Sequence, residues 1–341
     1  MPNELDRIIE RHKQRYPAMQ PQDLVKLIYQ NELGGGHMIT DGCAALSQLI
    51  EECSDLAPEY GEQFEDIGNG HMRLHLRPAL ASGVAMTTLC TMFMASAVRQ
   101  RGSMKALVRK LNTLPESSYV KSYINDGCNM VSHSKKYSDA YKPAYRVVDS
   151  AYSIIFQLLC RIDTLLCVKP TVTVVIDGHS AAGKSSLGSL LAGLYPCRLM
   201  HMDDFFLPMA KRTAARLSQP GGNVDYERFK NEVVDNLSSS IAYRRYDCEK
   251  DVMKRIVMKP TRILNVIEGA YSMHPYFGDY CDVAVFMDVD AGKQRARILA
   301  RNGERMQQRY IDEWIPMEHT YLDTFNIASK CDFEYKFSLY I

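Results

Sequence analysis

One short run constrains this chain more than any other. Gly178-His179-Ser180-Ala181-Ala182-Gly183-Lys184-Ser185 satisfies the pattern G-x-x-x-x-G-K-[ST] at every fixed position. Before it stands Val172 to Asp177, a β-branched and nearly continuous apolar run of the kind that forms a parallel strand buried on both faces. After it, Leu187 to Leu194 has the apolar spacing of a helix. The alternative, a glycine-rich turn before an ordinary helix, leaves the lysine and the hydroxyl at their fixed positions unexplained. Glycines belong where backbone N–H groups must converge on an anion, and Ser180, Ala181 and Ala182 are small enough not to obstruct them. The loop, with Ser186 beside it, is therefore expected to cradle a nucleoside triphosphate. Lys184 would neutralise the β and γ oxygens, and the Ser185 hydroxyl would ligate Mg²⁺.

Around this loop the chain divides. At 341 residues it exceeds the usual single core. Residues 1–166 read as a mostly helical domain of unknown role, with Leu24, Leu27, Ile28 and Leu46, Leu49, Ile50 at helical spacing, an apolar helix over Leu89 to Val98 and one more over Val147 to Leu166. Lys169-Pro170 then interrupts the pattern. Residues 167–341 alternate between strands (Val172 to Asp177, Cys197 to Met202, Ile263 to Ile267, Val283 to Met287) and helices (Leu187 to Leu194, Tyr226 to Ile241 with Asp225 as cap, Asp290 to Arg301). That alternation predicts an α/β domain with a doubly wound parallel sheet.

Net charge is +1, from 41 basic and 40 acidic side chains, so there is no cationic surplus to bind nucleic acid in bulk. No apolar stretch approaches the roughly 18 residues that span a bilayer. The first residues are charged, and the ten cysteines form no C-x-x-C pair. These features predict a cytoplasmic protein with free thiols and no membrane partner. A homo-oligomer stays open.

Four further features narrow the chemistry. A guanine-reading N-K-x-D sequence is absent. Asp203 and Asp204 end the strand that follows the loop, where α/β sheets place their chemistry, so one can accept a substrate proton while the other faces Mg²⁺ or solvent. Polar residues leaving a strand for a turn are the alternative. Glu268 ends a second apolar strand and is a candidate Mg²⁺ contact. Arg295, Arg297, Arg301 and Arg305 fall within and just beyond one helix, where they can close over a transferring phosphoryl group.

With GHSAAGKSS (178–186), MDDFF (202–206), GGNVDYERF (221–229), YRRYD (243–247), VIEGAYSMHP (266–275), RARILARNGER (295–305) and EWIPMEHTYLDTF (313–325) in order, the C-terminal half resembles the uridine kinase and phosphoribulokinase-like group of P-loop kinases. The resemblance implies a P-loop kinase-type sheet, ATP as phosphoryl donor with Mg²⁺, and a hydroxyl acceptor. Position by position it implies Asp203 as general base, Phe206 at the substrate-contacting aromatic, and Asp225 on ribose hydroxyls. It further implies Tyr246 against a base, Glu268 with Ser185 and Asp204 at Mg²⁺, Arg301 on the phosphates and Arg297 towards the substrate. The chain departs from uridine kinases in two places: the lid lacks paired arginines followed by R-D, and Cys248 to Asp251 replaces the segment where a base-reading histidine is expected. The implied acceptor is thus a nucleoside, a sugar or another small alcohol. The competing reading is a regulatory ATP-binding protein whose kinase-like half acts as a switch.

In the N-terminal half, His37, His71 and His75 stand beside the glycine turns Gly34-Gly35-Gly36 and Gly68-Asn69-Gly70, with Glu32 and Asp41 nearby. Two readings are open: a metal or anion site, or glycine C-caps with histidines packed against them.

Overall fold

The computed structural model describes residues 3–35, 41–99, 102–248, 250–260 and 263–336. Two compact units emerge, Met1–Thr164 and Leu165–Ile341.

The first unit is helical, but it is built on a small antiparallel sheet that its periodicity hides. Its elements are α1 (Glu4–Arg15), α2 (Pro21–Leu33), α3 (Gly42–Ser54), β1 (Phe64–Gly68), β2 (His71–His75), α4 (Leu76–Ala81), α5 (Met86–Val98), α6 (Met104–Leu111), α7 (Ser118–Asn125), α8 (Lys135–Tyr141), β3 (Tyr145–Asp149) and α9 (Ala151–Leu166). The strands run in the order β1-β2-β3. Asn69 and Gly70 have φ of 53° and 74°, the double left-handed conformation that a two-residue hairpin turn needs. Gly68 to Gly70 is thus a β-turn and not a helix cap, whereas Gly34 does cap α2 at φ 63°. Gly36 and His37 lie outside the described residues.

The helix expected over Val147 to Leu166 starts only at Ala151. Val147 and Val148 pair with Arg73 and Met72 in β3, and the Asp149 carboxylate accepts from the Ala151 amide at the helix start. β-Branched side chains suit the pleated surface better than a helix turn. Val25, Leu27 and Ile28 on α2 meet Ile8, Ile67, Leu107 and Leu111 in the core.

The second unit is α/β. It comprises β4 (Val172–Gly178), α10 (Lys184–Leu194), β5 (Cys197–His201), α11 (Ala214–Leu217), α12 (Tyr226–Glu232), β6 (Ile241–Asp247), β7 (Val252–Met258), β8 (Leu264–Glu268), β9 (Val283–Met287), α13 (Ala291–Arg309), α14 (Ile315–Phe325) and β10 (Phe333–Tyr335). Five strands form a sheet in the order β10-β9-β4-β8-β5, with every pairing parallel. β4 is central and buried along its whole length, as its unbroken apolar run requires. Strand order reverses beside β4, so the crevice at its carboxyl end is where such sheets bind ligands.

The helix expected from Tyr226 to Ile241 ends instead at Glu232. Asn236 and the run Ser238-Ser239-Ser240 compete for backbone hydrogen bonds, and the Asn236 amide donates to the Asn231 carbonyl. Ile241 then opens an antiparallel hairpin, β6 with β7, which the α/β alternation did not foresee. None of the ten cysteines is disulfide-bonded. Among the described residues, no helix is long and apolar enough to cross a membrane.

Candidate functional site

β4 delivers the phosphate loop. Gly178 has φ 126°, and a Cβ there would collide with the Met287 backbone of β9, 2.7 Å from its nitrogen, so only glycine fits. His179 N donates to the Met287 carbonyl at 3.0 Å, tying the loop to β9. Ala181 (φ 58°) and Gly183 (φ 104°) turn the chain tightly before α10. The Lys184 ammonium donates to the carbonyls of Gly178 and His179, both at 2.8 Å, so it lies across its own loop.

Beneath the loop Asp177 is fully buried and accepts from the Gly178, Tyr271 and Met273 amides and, at 2.7 Å, from the Tyr321 hydroxyl. Burial nonetheless holds its pKa above the ordinary carboxylate value. One side chain thereby joins β4, the segment after β8, and α14.

The structure brings Ser185 and Glu268 together. The Ser185 hydroxyl donates to Glu268 Oε2 at 3.0 Å, and Glu268 Oε1 lies 2.5 Å from His201 Nδ1. β8 lies between β4 and β5, so Glu268 at its end reaches both neighbours. The hydrogen bond to Glu268 raises the His201 pKa against the cost of burial. A hydroxyl and a carboxylate oxygen side by side suit Mg²⁺, which binds one or two protein oxygens and completes its shell with water and phosphate.

Asp204 does not join them. Its Oδ2 accepts from the Tyr243 hydroxyl at 2.7 Å and its Oδ1 lies 3.7 Å from Arg245 Nε, so it faces β6 and not the Ser185–Glu268 pair. Asp203, one residue earlier, is open to the cleft and makes no hydrogen bond to another described residue. Surrounding protein, and then the charge of Glu268, raise its pKa, while Lys184, His201 and Arg301 oppose the shift.

Phe206 forms a β-bridge with Val224, and the Asp225 amide donates to the Phe205 carbonyl at 2.8 Å. Asp203, Phe206 and Asp225 therefore share one wall. The Asp225 carboxylate is buried and engaged: it caps α12 through the Arg228 amide and pairs with Lys211 at 3.1 Å. Tyr246 is buried in the hairpin with its hydroxyl on Asp251 at 2.6 Å. Cys248 follows β6, and burial raises its thiol pKa while Arg212 opposes the shift.

Of the lid arginines, Arg301 is within electrostatic reach of Asp203 and bonds the Tyr310 hydroxyl at 3.2 Å. Arg297, expected on the substrate side, instead donates to the Ala181 carbonyl of the phosphate loop at 2.9 Å. One turn of α13 earlier, Gln294 reaches the Ser180 carbonyl.

Sequence reasoning missed Glu318. This buried carboxylate on α14 accepts from the Ser180 amide (2.9 and 2.8 Å) and the Ser180 hydroxyl (2.6 Å), with His179 Nδ1 at 3.3 Å. Burial pushes its pKa up, but the His179 and Ser180 bonds and the Lys184 charge outweigh that and leave it low. Its signal in the sequence was helical spacing: Glu318, Tyr321 and Leu322 form one buried face. His201 was missed too, as a polar end to an apolar strand.

No protein-family model matches the chain, and no curated protein matches it. Among solved structures it is similar to a possible uridine kinase from Bacillus stearothermophilus, at 21% identity over 53% of this chain and 100% of that one, with a TM-score of 0.41. It is also similar to a candidate fructose transport system kinase from Silicibacter sp. TM1040, at 19% identity over 50% of this chain and 95% of that one, with a TM-score of 0.41.

Proposed function

We propose that the second unit, with its N-terminal limit near residue 167, is an ATP-dependent kinase that transfers the γ-phosphoryl group to a hydroxyl of a small metabolite, a nucleoside or a sugar. The observation that carries this reading is the position of Asp203. It is an exposed carboxylate with a raised pKa, without a hydrogen bond to another described residue and near enough to Lys184, Glu268 and Arg301 for their charges to act on it. A protein that only bound nucleotide would have no use for a free base there.

Asp203 takes the acceptor O–H proton while the acceptor oxygen bonds to the γ-phosphorus. The bond from that phosphorus to the β–γ bridging oxygen breaks, and ADP leaves with its electron pair. Lys184 and the loop amides hold the phosphates, Arg301 counters charge on the transferred group, and Arg297 steadies the loop. Ser185 and Glu268 would hold Mg²⁺, which supplies charge neutralisation at the phosphate oxygens when bound. Phe206 and the hairpin tip near Cys248 wall the acceptor side.

Glu318 favours a second reading, an ATP-responsive switch, because a carboxylate from α14 rests on a loop amide that nucleotide binding can disturb. The two readings separate on ADP release with Mg-ATP and a panel of nucleosides, pentoses and small alcohols. Acceptor-stimulated release supports the kinase. No stimulation, together with ATP-dependent binding of a protein partner, supports the switch.

A further inference from the structure

The first unit contains a site that phosphotransfer does not use. Alternation along β2 puts His71, Arg73 and His75 on one face, under α1 and α2. A covered strand face is ordinarily apolar, yet Arg73 is only 1% exposed. Its Nε and one terminal nitrogen donate to Gln30 Oε1 at 3.0 and 2.9 Å, the other terminal nitrogen to Glu65 Oε2 at 3.2 Å, and its guanidinium lies 4.7 Å from the Tyr145 ring.

That arrangement is held from behind. Gln30 Nε2 donates to the Tyr145 hydroxyl at 3.2 Å, Tyr145 to His133 Nε2 at 2.7 Å, and His133 Nδ1 to Asp23 at 2.9 Å. These bonds tie Gln30, Tyr145, His133 and Asp23 into one continuous network. A buried ion pair is often no more stabilising than apolar packing of similar volume, so stability alone does not account for this network.

Beside the network lies a cavity of about 290 Å³, near the lower end of small-molecule pockets. Four cations line it (Arg15, Arg73, Arg77, Lys142) against three acids (Glu59, Glu62, Glu65). Arg15 and Arg73 already occupy Glu62 and Glu65. Among the described residues, Arg77 donates only to the Ala57 carbonyl and Lys142 has no carboxylate partner. His75 Nε2 is buried with no hydrogen-bond partner among the described residues, although it lines the cavity. Tyr60, 91% exposed, stands at the rim.

We propose that this cavity is a second binding site, taking a small anion that carries a planar ring. Arg77 and Lys142 supply the counter-charge, His75 Nε2 a hydrogen bond, and Tyr60 a ring face. No residue here belongs to the phosphate-loop reading, so the two stand or fall separately.

The test is calorimetric titration of the full chain with phenyl phosphate and with benzoate, using inorganic phosphate and phenol as the separate halves. At least one of the first two binds one per chain, at least about tenfold tighter than either half, and the tighter of them identifies the anion as phosphate or carboxylate. Arg77→Gln and His75→Phe, checked for an unchanged melt, each weaken that binding about tenfold, and Lys184→Ala leaves it intact. The proposal is overturned if neither probe saturates below about 10 mM, if phosphate or phenol alone binds as well, or if Lys184→Ala rather than Arg77→Gln removes binding.

Discussion

The Ser185 hydroxyl and the Glu268 carboxylate meet at 3.0 Å, joining the first turn of α10 to the end of β8. Glu268→Gln removes the charge and keeps the shape. It should raise the Mg²⁺ concentration for half-maximal turnover at least about tenfold, because a bond to a charged group contributes about 1.5–3 kcal/mol. Initial rates across a Mg²⁺ series at fixed ATP check this, and an unchanged midpoint would remove Glu268 from the metal site.

His201 shares Glu268, and its pKa is raised by that bond. A raised folded-state pKa gives stability that is fully present below the ordinary value of 6.5 and is lost as pH rises through the folded value. The His201 ring resonances should therefore titrate above 6.5 by NMR and return towards that value in Glu268→Gln.

Buried Asp177 takes its one side-chain hydrogen bond from Tyr321. Tyr321→Phe leaves that acceptor short of a donor and should cost about 1–3 kcal/mol. Thermal melts and ATP affinity should fall together, since the same carboxylate holds the first amide of the phosphate loop.

Asp203 must be ionised to accept a proton, and its surroundings and Glu268 hold its pKa up. Activity should fall as pH drops through that raised value, so the acidic limb of kcat/KM lies above the ordinary 3.8. Glu268→Gln should move the limb to lower pH.

The loop, the strand before it and the carboxylate ends of β5 and β8 were legible because each is a local pattern: unbroken apolar residues, then a glycine or an acid. The β6–β7 hairpin was not. Its outward residues mix charge (Arg244, Arg245, Lys254, Arg255) with apolar Val252, Met253 and Val257, and its inward ones (Ile241, Tyr243, Tyr246) bury only once the cleft wall exists. In the first unit, Asn69-Gly70 carried the hairpin signal and His71 to His75 alternates polar with apolar, but the run is short and buries polar His71 and Arg73, the reverse of the usual strand pattern. Helical spacing put Glu318 on one face with Tyr321 and Leu322, but only tertiary packing lays that face on the loop. Asp204 and Arg297 had the right residue types, and their local turns aim them elsewhere.

Asp203→Asn tests the central claim most directly, with ATP affinity and acceptor phosphorylation measured on the same preparation. The expected result is ATP affinity within about threefold of the original and turnover reduced about 10²- to 10⁴-fold. Turnover that survives the substitution would contradict the assignment of Asp203 as the base.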